Sequence, residues 1–188
     1  MTFSESGLRF TFPADWGVRQ YDDHRFYQAM SGRGLKAVDF VIIPAAGGVW
    51  FVEVKNYTRR PGRYHESNTI ELPDPEDLAT TLLEKYTDSR RALLAIATYY
   101  RRKWWYRRLN RLLRLFSRRY RRDSKFWTEA QDRLDREPPR VILLVSTGPD
   151  ENGFMHQLRD AVETLTKSDQ ATFSVGRAEE YFTRFIGD

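Results

Sequence analysis

The sequence predicts an α/β fold, a mixed sheet flanked by helices, and three observations carry that prediction. Residues 36–57, KAVDFVIIPAAGGVWFVEVKNY, hold two runs rich in Val, Ile, Phe and Trp on either side of Ala45-Ala46-Gly47-Gly48, which is the pattern of a β-hairpin. Arg140 to Thr147, RVILLVST, is a short unbroken apolar run of the kind that lies parallel inside an α/β sheet. Stretches with helical spacing stand between and after these runs, so strands and helices alternate along the chain.

Taken in order, Thr2 to Phe12 (TFSESGLRFTF) reads as a strand or hairpin with Gly7 as its turn, ended by Pro13-Ala14-Asp15-Trp16. This strand is the candidate for a third member of the central sheet. A short helix is expected from Asp22 to Met30, because Asp22-Asp23 suit a helix N-terminus and Ser31-Gly32-Arg33-Gly34 close it. The hairpin strands are Lys36 to Ile43 and Val49 to Lys55, and the segment from Asn56 to Pro75 is mostly loop. Pro75 to Thr98 reads as a longer helix: Asp74 caps it, Pro75 suits its first turn, and Leu78, Leu82, Lys85, Tyr86, Leu93 and Ile96 recur at helical spacing. A further helix is expected from Ser124 to Arg136, stopped by Pro138-Pro139. After the strand Arg140 to Thr147 come a helix from Asn152 to Thr166, a strand from Ala171 to Val175 and a helix from Ala178 to Ile186.

Composition narrows the functional classes. A chain of 188 residues, 40% apolar and 14% aromatic, suits one folded domain and not a disordered segment. The absence of cysteine excludes a disulfide scaffold and a thiolate metal site. The N-terminus does not read as a signal peptide, and the longest charge-free apolar run, Phe40 to Val52, is broken by Pro44 and two glycines, too short to span a bilayer. A soluble, cytoplasmic protein is therefore expected. His24, His65 and His156 show no metal-binding spacing, and nucleophile-elbow, P-loop and dinucleotide glycine motifs are missing, so serine hydrolase, NTPase and nicotinamide chemistry have no support.

The hairpin carries the most specific chemistry. If Ile43 faces Val49, antiparallel pairing sets Asp39 opposite Glu53, and the period-two alternation of a strand puts Lys55 on the same face as Glu53. Both strands are otherwise apolar on both faces, so these charges interrupt a covered sheet. Opposed like charges are destabilising unless a cation or hydrogen bonds compensate them. Two carboxylates with the backbone carbonyl of Val54 make an all-oxygen set suited to Mg²⁺ or Mn²⁺. The plainer reading of Glu-x-Lys is a solvated strand face with a cross-strand ion pair.

Asp39, followed one strand later by Glu53-Val54-Lys55, resembles the PD-(D/E)xK nuclease superfamily, and the wording VEVKNY is similar to its nuclease-related and restriction-endonuclease-like branches. The namesake proline is replaced by Val38, and the clear resemblance covers about a fifth of the chain. It implies a restriction-endonuclease-like fold in which Asp39, Glu53 and the Val54 carbonyl hold Mg²⁺ or Mn²⁺. Asp39, Glu53 and Lys55 would then be the catalytic residues, with Lys55 orienting the attacking water or neutralising the transition state. It also implies a further carboxylate from a preceding helix, for which Asp22 or Asp23 stand before Glu5 as candidates, helix capping being their other reading. An auxiliary Gln or Lys from the following helix is implied too, and Lys85 stands where it is expected, if it is not simply surface charge.

The charge is unevenly spread. Ser89 to Arg122 holds 13 Lys and Arg without one acid, which leaves the remainder at −8 against a total of +5. Within residues 99–122, Trp105, Leu109, Leu112, Phe116 and Tyr120 share one helical face. Arg101, Arg102, Lys103, Trp104, Trp105, Arg107, Arg108, Arg111, Arg114, Arg118, Arg119, Arg121 and Arg122 read as a nucleic-acid-binding arm, guanidiniums on phosphates and aromatics on bases. A basic amphipathic helix on an anionic membrane carries the same signature. So does an ordinary packed helix in an arginine-rich chain. Arg59 and Arg60, just beyond the second hairpin strand, are candidates for phosphate contact. Residues 99–136 are expected to be a basic helical insertion within a single domain of residues 1–188.

These readings together lead to a metal-dependent nuclease that hydrolyses phosphodiester bonds in DNA, with RNA as a second substrate, the arm holding the backbone and a homodimer as one form of assembly. The alternative is a catalytically silent module of the same fold that binds nucleic acid or an anionic membrane surface.

Overall fold

The computed structural model describes residues 1–21, 35–58, 72–102, 118–147 and 151–178. Among these residues the protein is a mixed α/β structure with a five-stranded sheet, a separate two-stranded sheet and three helices. In chain order, β1 (Thr2–Glu5) and β2 (Leu8–Thr11) are followed by β3 (Gly17–Gln20), β4 (Phe40–Ile43) and β5 (Trp50–Asn56). Helices α1 (Pro75–Arg102) and α2 (Arg118–Leu134) precede β6 (Arg140–Ser146), α3 (Asn152–Thr166) and β7 (Thr172–Arg177).

The sheet order is β3-β4-β5-β6-β7. β3, β4 and β5 form an antiparallel meander, and β6 and β7 run parallel to β5. The hairpin register is the expected one: Phe40 pairs with Val52, Val41 with Phe51 and Ile42 with Trp50. Parallel pairing demands the crossovers that α1, α2 and α3 supply. Both faces of the sheet are covered, as its unbroken apolar strands require. On one face Val41, Ile43, Phe51, Leu143 and Val145 meet Leu82, Leu93, Trp127 and Leu158 of the helices. On the other, Phe40, Ile42, Val52, Val54 and Leu144 meet Phe10 and Phe12, and the rings of Phe3, Phe10 and Phe12 lie within 5.6–5.9 Å of the Phe40 ring.

Four expectations are corrected. The third strand of the meander is β3, not the N-terminal strand; β1 and β2 form their own hairpin, turning through Ser6 and Gly7 at positive φ, and cover the sheet instead of extending it. GVRQ offers only Val18 as an apolar residue, so β3 gives almost no periodic signal. The strand expected from Lys36 begins only at Phe40, because α1 takes the preceding residues. Lys36 N donates to Asp88 Oδ2 at 3.1 Å, Lys36 Nζ reaches Glu84 Oε2 at 2.6 Å, and Val38 N donates to Ser89 Oγ at 3.0 Å. α1 continues beyond Thr98 to Arg102, there being no Gly or Pro to stop it. Helix α2 is already helical at Arg118, ahead of the expected start at Ser124, and Ser124 is a buried residue inside it.

The other elements fall where expected. α1 is capped by Asp74, whose Oδ1 accepts from Glu76 N at 2.8 Å and Asp77 N at 3.3 Å. β6 and α3 occupy the expected runs, and β7 is displaced by one or two residues. Residues 99–102 end α1, and Phe126, Trp127 and Ala130 of α2 are buried in the main core. The described part of the basic section is thereby continuous with the helical layer. The helix expected from Asp22 to Met30 and the one expected beyond Ala178 lie outside the described residues.

Candidate functional site

Asp39 lies one residue before β4 and Glu53 lies in the middle of β5; extending the hairpin register by one step sets them opposite each other. They are buried on an otherwise apolar sheet, Asp39 9% and Glu53 1% exposed. Odd-numbered residues of β5 face the helices, as Phe51 does, so Glu53 and Lys55 project toward α1. Lys85 of α1 meets them there. Lys85 Nζ lies 2.6 Å and Lys55 Nζ 2.8 Å from the same oxygen, Glu53 Oε1.

The second Glu53 oxygen, Oε2, is buried and has no hydrogen-bond partner among the described residues. A bare buried carboxylate oxygen is costly and needs an explanation. Asp39 is held through Oδ2, which accepts from Val54 N at 2.6 Å. Burial first, and then the charge of Glu53, push the Asp39 carboxyl up from 3.8 to about 7, against the Val54 hydrogen bond and Lys85. Burial opposes the charged form of Lys55, yet Glu53 and Asp39 outweigh it and hold the ammonium above its ordinary value.

The backbone adds a third oxygen. Successive residues of a strand point their N–H and C=O groups to alternate neighbours. Tyr57 N donates to Ser146 O at 2.7 Å on the β6 side, whereas Val54 N points to Asp39 on the β4 side. The Val54 carbonyl therefore also points toward β4, beyond the residue at which β4 pairing stops. Asp39, Glu53 and the Val54 carbonyl thus stand at the same end of the β4–β5 pairing. Among the described residues no cluster of three or more Asp, Glu, His or Cys side chains is close enough to share a metal ion. Two carboxylates with backbone and water oxygens suffice for Mg²⁺, which keeps part of its hydration shell.

Several neighbours carry no recognisable signal in the sequence. Ser89, fully buried, occupies the apolar stripe of α1 between Tyr86 and Leu93, and a polar residue on that stripe is the only hint of its role. The β1–β2 turn is tied to the end of β5 by Asn56 Nδ2, which donates to Ser6 O at 2.8 Å. Glu5, the last residue of β1 and the lesser of the carboxylate candidates named from the sequence, accepts from Gln20 Nε2 at 3.0 Å, and its charge adds to the upward push on Asp39. Tyr57 continues the Glu53-Lys55 face, and burial raises its hydroxyl above the ordinary value.

The other named residues stand apart. Arg101 Nη2 pairs with Asp132 Oδ1 at 2.6 Å, joining α1 to α2, and Arg102 is exposed at the end of α1. Asp22, Asp23, Arg59, Arg60, Lys103, Trp104, Trp105, Arg107, Arg108, Arg111 and Arg114 lie outside the described residues. The side chains of Arg118, Arg119, Arg121 and Arg122 do too, although their backbone belongs to α2. No described helix is long and apolar enough to cross a membrane.

No protein-family model matches the chain, and no curated protein or solved structure matches it significantly. The functional reading therefore rests on the site's own chemistry and on the resemblance of its motif.

Proposed function

We propose that this protein is a metal-dependent nuclease with a restriction-endonuclease-like core. The observation that carries the reading is the buried Oε2 of Glu53, without a hydrogen-bond partner among the described residues, beside the buried Asp39, with two lysines drawn to the other Glu53 oxygen. A folded protein leaves such an oxygen unpaired where something else takes it, and two carboxylates with a carbonyl suit a hard divalent cation. Asp39, Glu53 and the Val54 carbonyl would hold Mg²⁺ or Mn²⁺. When bound, the ion supplies Lewis-acid charge to the phosphoryl oxygens and lowers the pKa of a coordinated water. Lys85 fixes the Glu53 rotamer, and Lys55, at the solvent-facing end of the same stripe, meets the charge that develops on the scissile phosphate. The strand order β3-β4-β5, then α1, then β6 parallel to β5 agrees with the fold that the motif implies.

The substrate class follows from charge. An acidic body with one strongly basic stretch suits a polyanion held through its phosphates, DNA first and RNA second, with little base selectivity.

The test is cleavage of supercoiled, linear, single-stranded and branched DNA, and of RNA, with Mg²⁺ or Mn²⁺. Wild type is expected to cut at least one of these. Asp39→Ala, Glu53→Ala and Lys55→Ala are expected to lose at least about a hundredfold in rate, while nucleic-acid binding survives. Turnover that persists in Asp39→Ala would end the site assignment. A wild type that cuts nothing and binds no metal would favour a silent binding module instead.

A further inference from the structure

The residues before β4 are apolar enough to continue the strand, and Asp39 O still accepts from Tyr21 N at 2.8 Å on the β3 side; on the β5 side three bonds to α1 stand in place of the ladder, the last from Val38 N to Ser89 Oγ at 3.0 Å. In the register that pairs Ile42 with Trp50 and Phe40 with Val52, the next hydrogen-bonded pair would be Val38 with Val54. That pair is not made. Val38 N is on Ser89, and Val54 N is on the Asp39 carboxylate at 2.6 Å.

A closed ladder would alter the site twice. The Val38 N–H would occupy the Val54 carbonyl, and the Val54 N–H would turn to the Val38 carbonyl and release Asp39. Closure would thus change the partners of two of the three candidate oxygens. Ser89 lies one helical turn beyond Lys85, so the same face of α1 holds Glu53 through an ammonium and the Val38 amide through a hydroxyl.

We propose that Ser89 is a positioning residue of the metal site: by holding the Val38 amide it parts β4 from β5 before they close over the Val54 carbonyl, and so leaves that carbonyl facing Asp39 and Glu53. The inference rests on the metal-site reading above. It assigns a role to a residue that touches neither ion nor substrate.

The test uses the full chain, isotope-labelled, with two readouts. Trans-hydrogen-bond coupling between Val38 N and Val54 C′ reports ladder closure, and free Mn²⁺ measured by electron paramagnetic resonance reports affinity. Wild type and Ser89→Thr, which keeps the hydroxyl, are expected to show no coupling and equal affinity. Ser89→Ala is expected to gain the coupling and to bind Mn²⁺ about tenfold to a hundredfold more weakly. If Ser89→Ala does not fold, Ser89→Cys, with its weaker acceptor, should still bind Mn²⁺ less tightly than wild type. Unchanged affinity in the folded variant, or weaker affinity without the new coupling, overturns the proposal. A wild type that binds no Mn²⁺ removes the metal-site reading and this role together. The coupling still shows in that case whether the hydroxyl parts the strands, so the two failures are told apart.

Discussion

Asp39 pays for its place at the end of a buried hairpin with a carboxyl that holds its proton to about pH 7. In the unfolded chain it would ionise near 3.8, so between these values the unfolded state releases a proton that the folded state keeps. The contribution of Asp39 to stability without metal therefore falls as pH rises from about 4 to 7 and is constant on either side. Asp39→Asn removes this dependence while leaving an oxygen for Val54 N. Relative to wild type, it should be stabilised by on the order of 2–4 kcal/mol at pH 8 and by almost nothing at pH 4, as read from urea unfolding. Equal stabilities of the two proteins at both pH values would contradict the burial of Asp39. The opposition of Asp39 and Glu53 was legible because strand alternation and one assumed pair fix it. The two lysines sharing one Glu53 oxygen were not, since helix position in three dimensions decides where Lys85 points.

The elements show where local pattern suffices and where it fails. β5, β6 and α3 were legible from apolar runs and helical spacing, which burial on a covered sheet imposes. β3 was not, because pairing with β4 and not its own composition makes it a strand. The shortening of β4 was not either, because the bonds responsible come from residues 84–89, about fifty positions away. The same long-range logic holds at the far end of the hairpin. Arg133 of α2 donates to Pro44 O and Gly47 O, both at 2.8 Å, and pairs with Glu129 at 3.0 Å. Arg133→Ala should destabilise the fold by about 1–3 kcal/mol, lowering Tm by about 2–4 °C per kcal/mol. It should leave metal affinity unchanged, since the turn precedes β5 and the candidate site lies at and beyond its middle. A loss of Mn²⁺ binding in this variant would show that the hairpin is not rigid enough to separate the two.

At the scale of the whole molecule, charge divides the chain into an acidic body and a basic stretch from Ser89 to Arg122. Part of that stretch serves the fold: Arg101 joins α1 to α2 through Asp132. The arginines beyond it are the ones assigned to phosphates. Neutralising Arg107, Arg108, Arg111 and Arg114 to Gln should weaken DNA binding and reduce the slope of log K against log salt by about 0.9 for each lost phosphate contact on duplex DNA. Cleavage at saturating substrate should be little changed. An unaltered slope would take the arm out of nucleic-acid binding and favour the membrane or a purely structural role.

The central claim is that a divalent cation sits on Asp39, Glu53 and Val54. The acidic body offers a competing surface, a groove of about 590 Å³ lined in part by Asp74, Glu76 and Asp160. Mn²⁺ titration followed by paramagnetic broadening of backbone amide signals separates the two directly. The account predicts one strong site whose broadening centres on Asp39 and Val54 and is abolished in Glu53→Gln. Broadening centred on the α1–α3 groove, or none at micromolar to millimolar Mn²⁺, would contradict it.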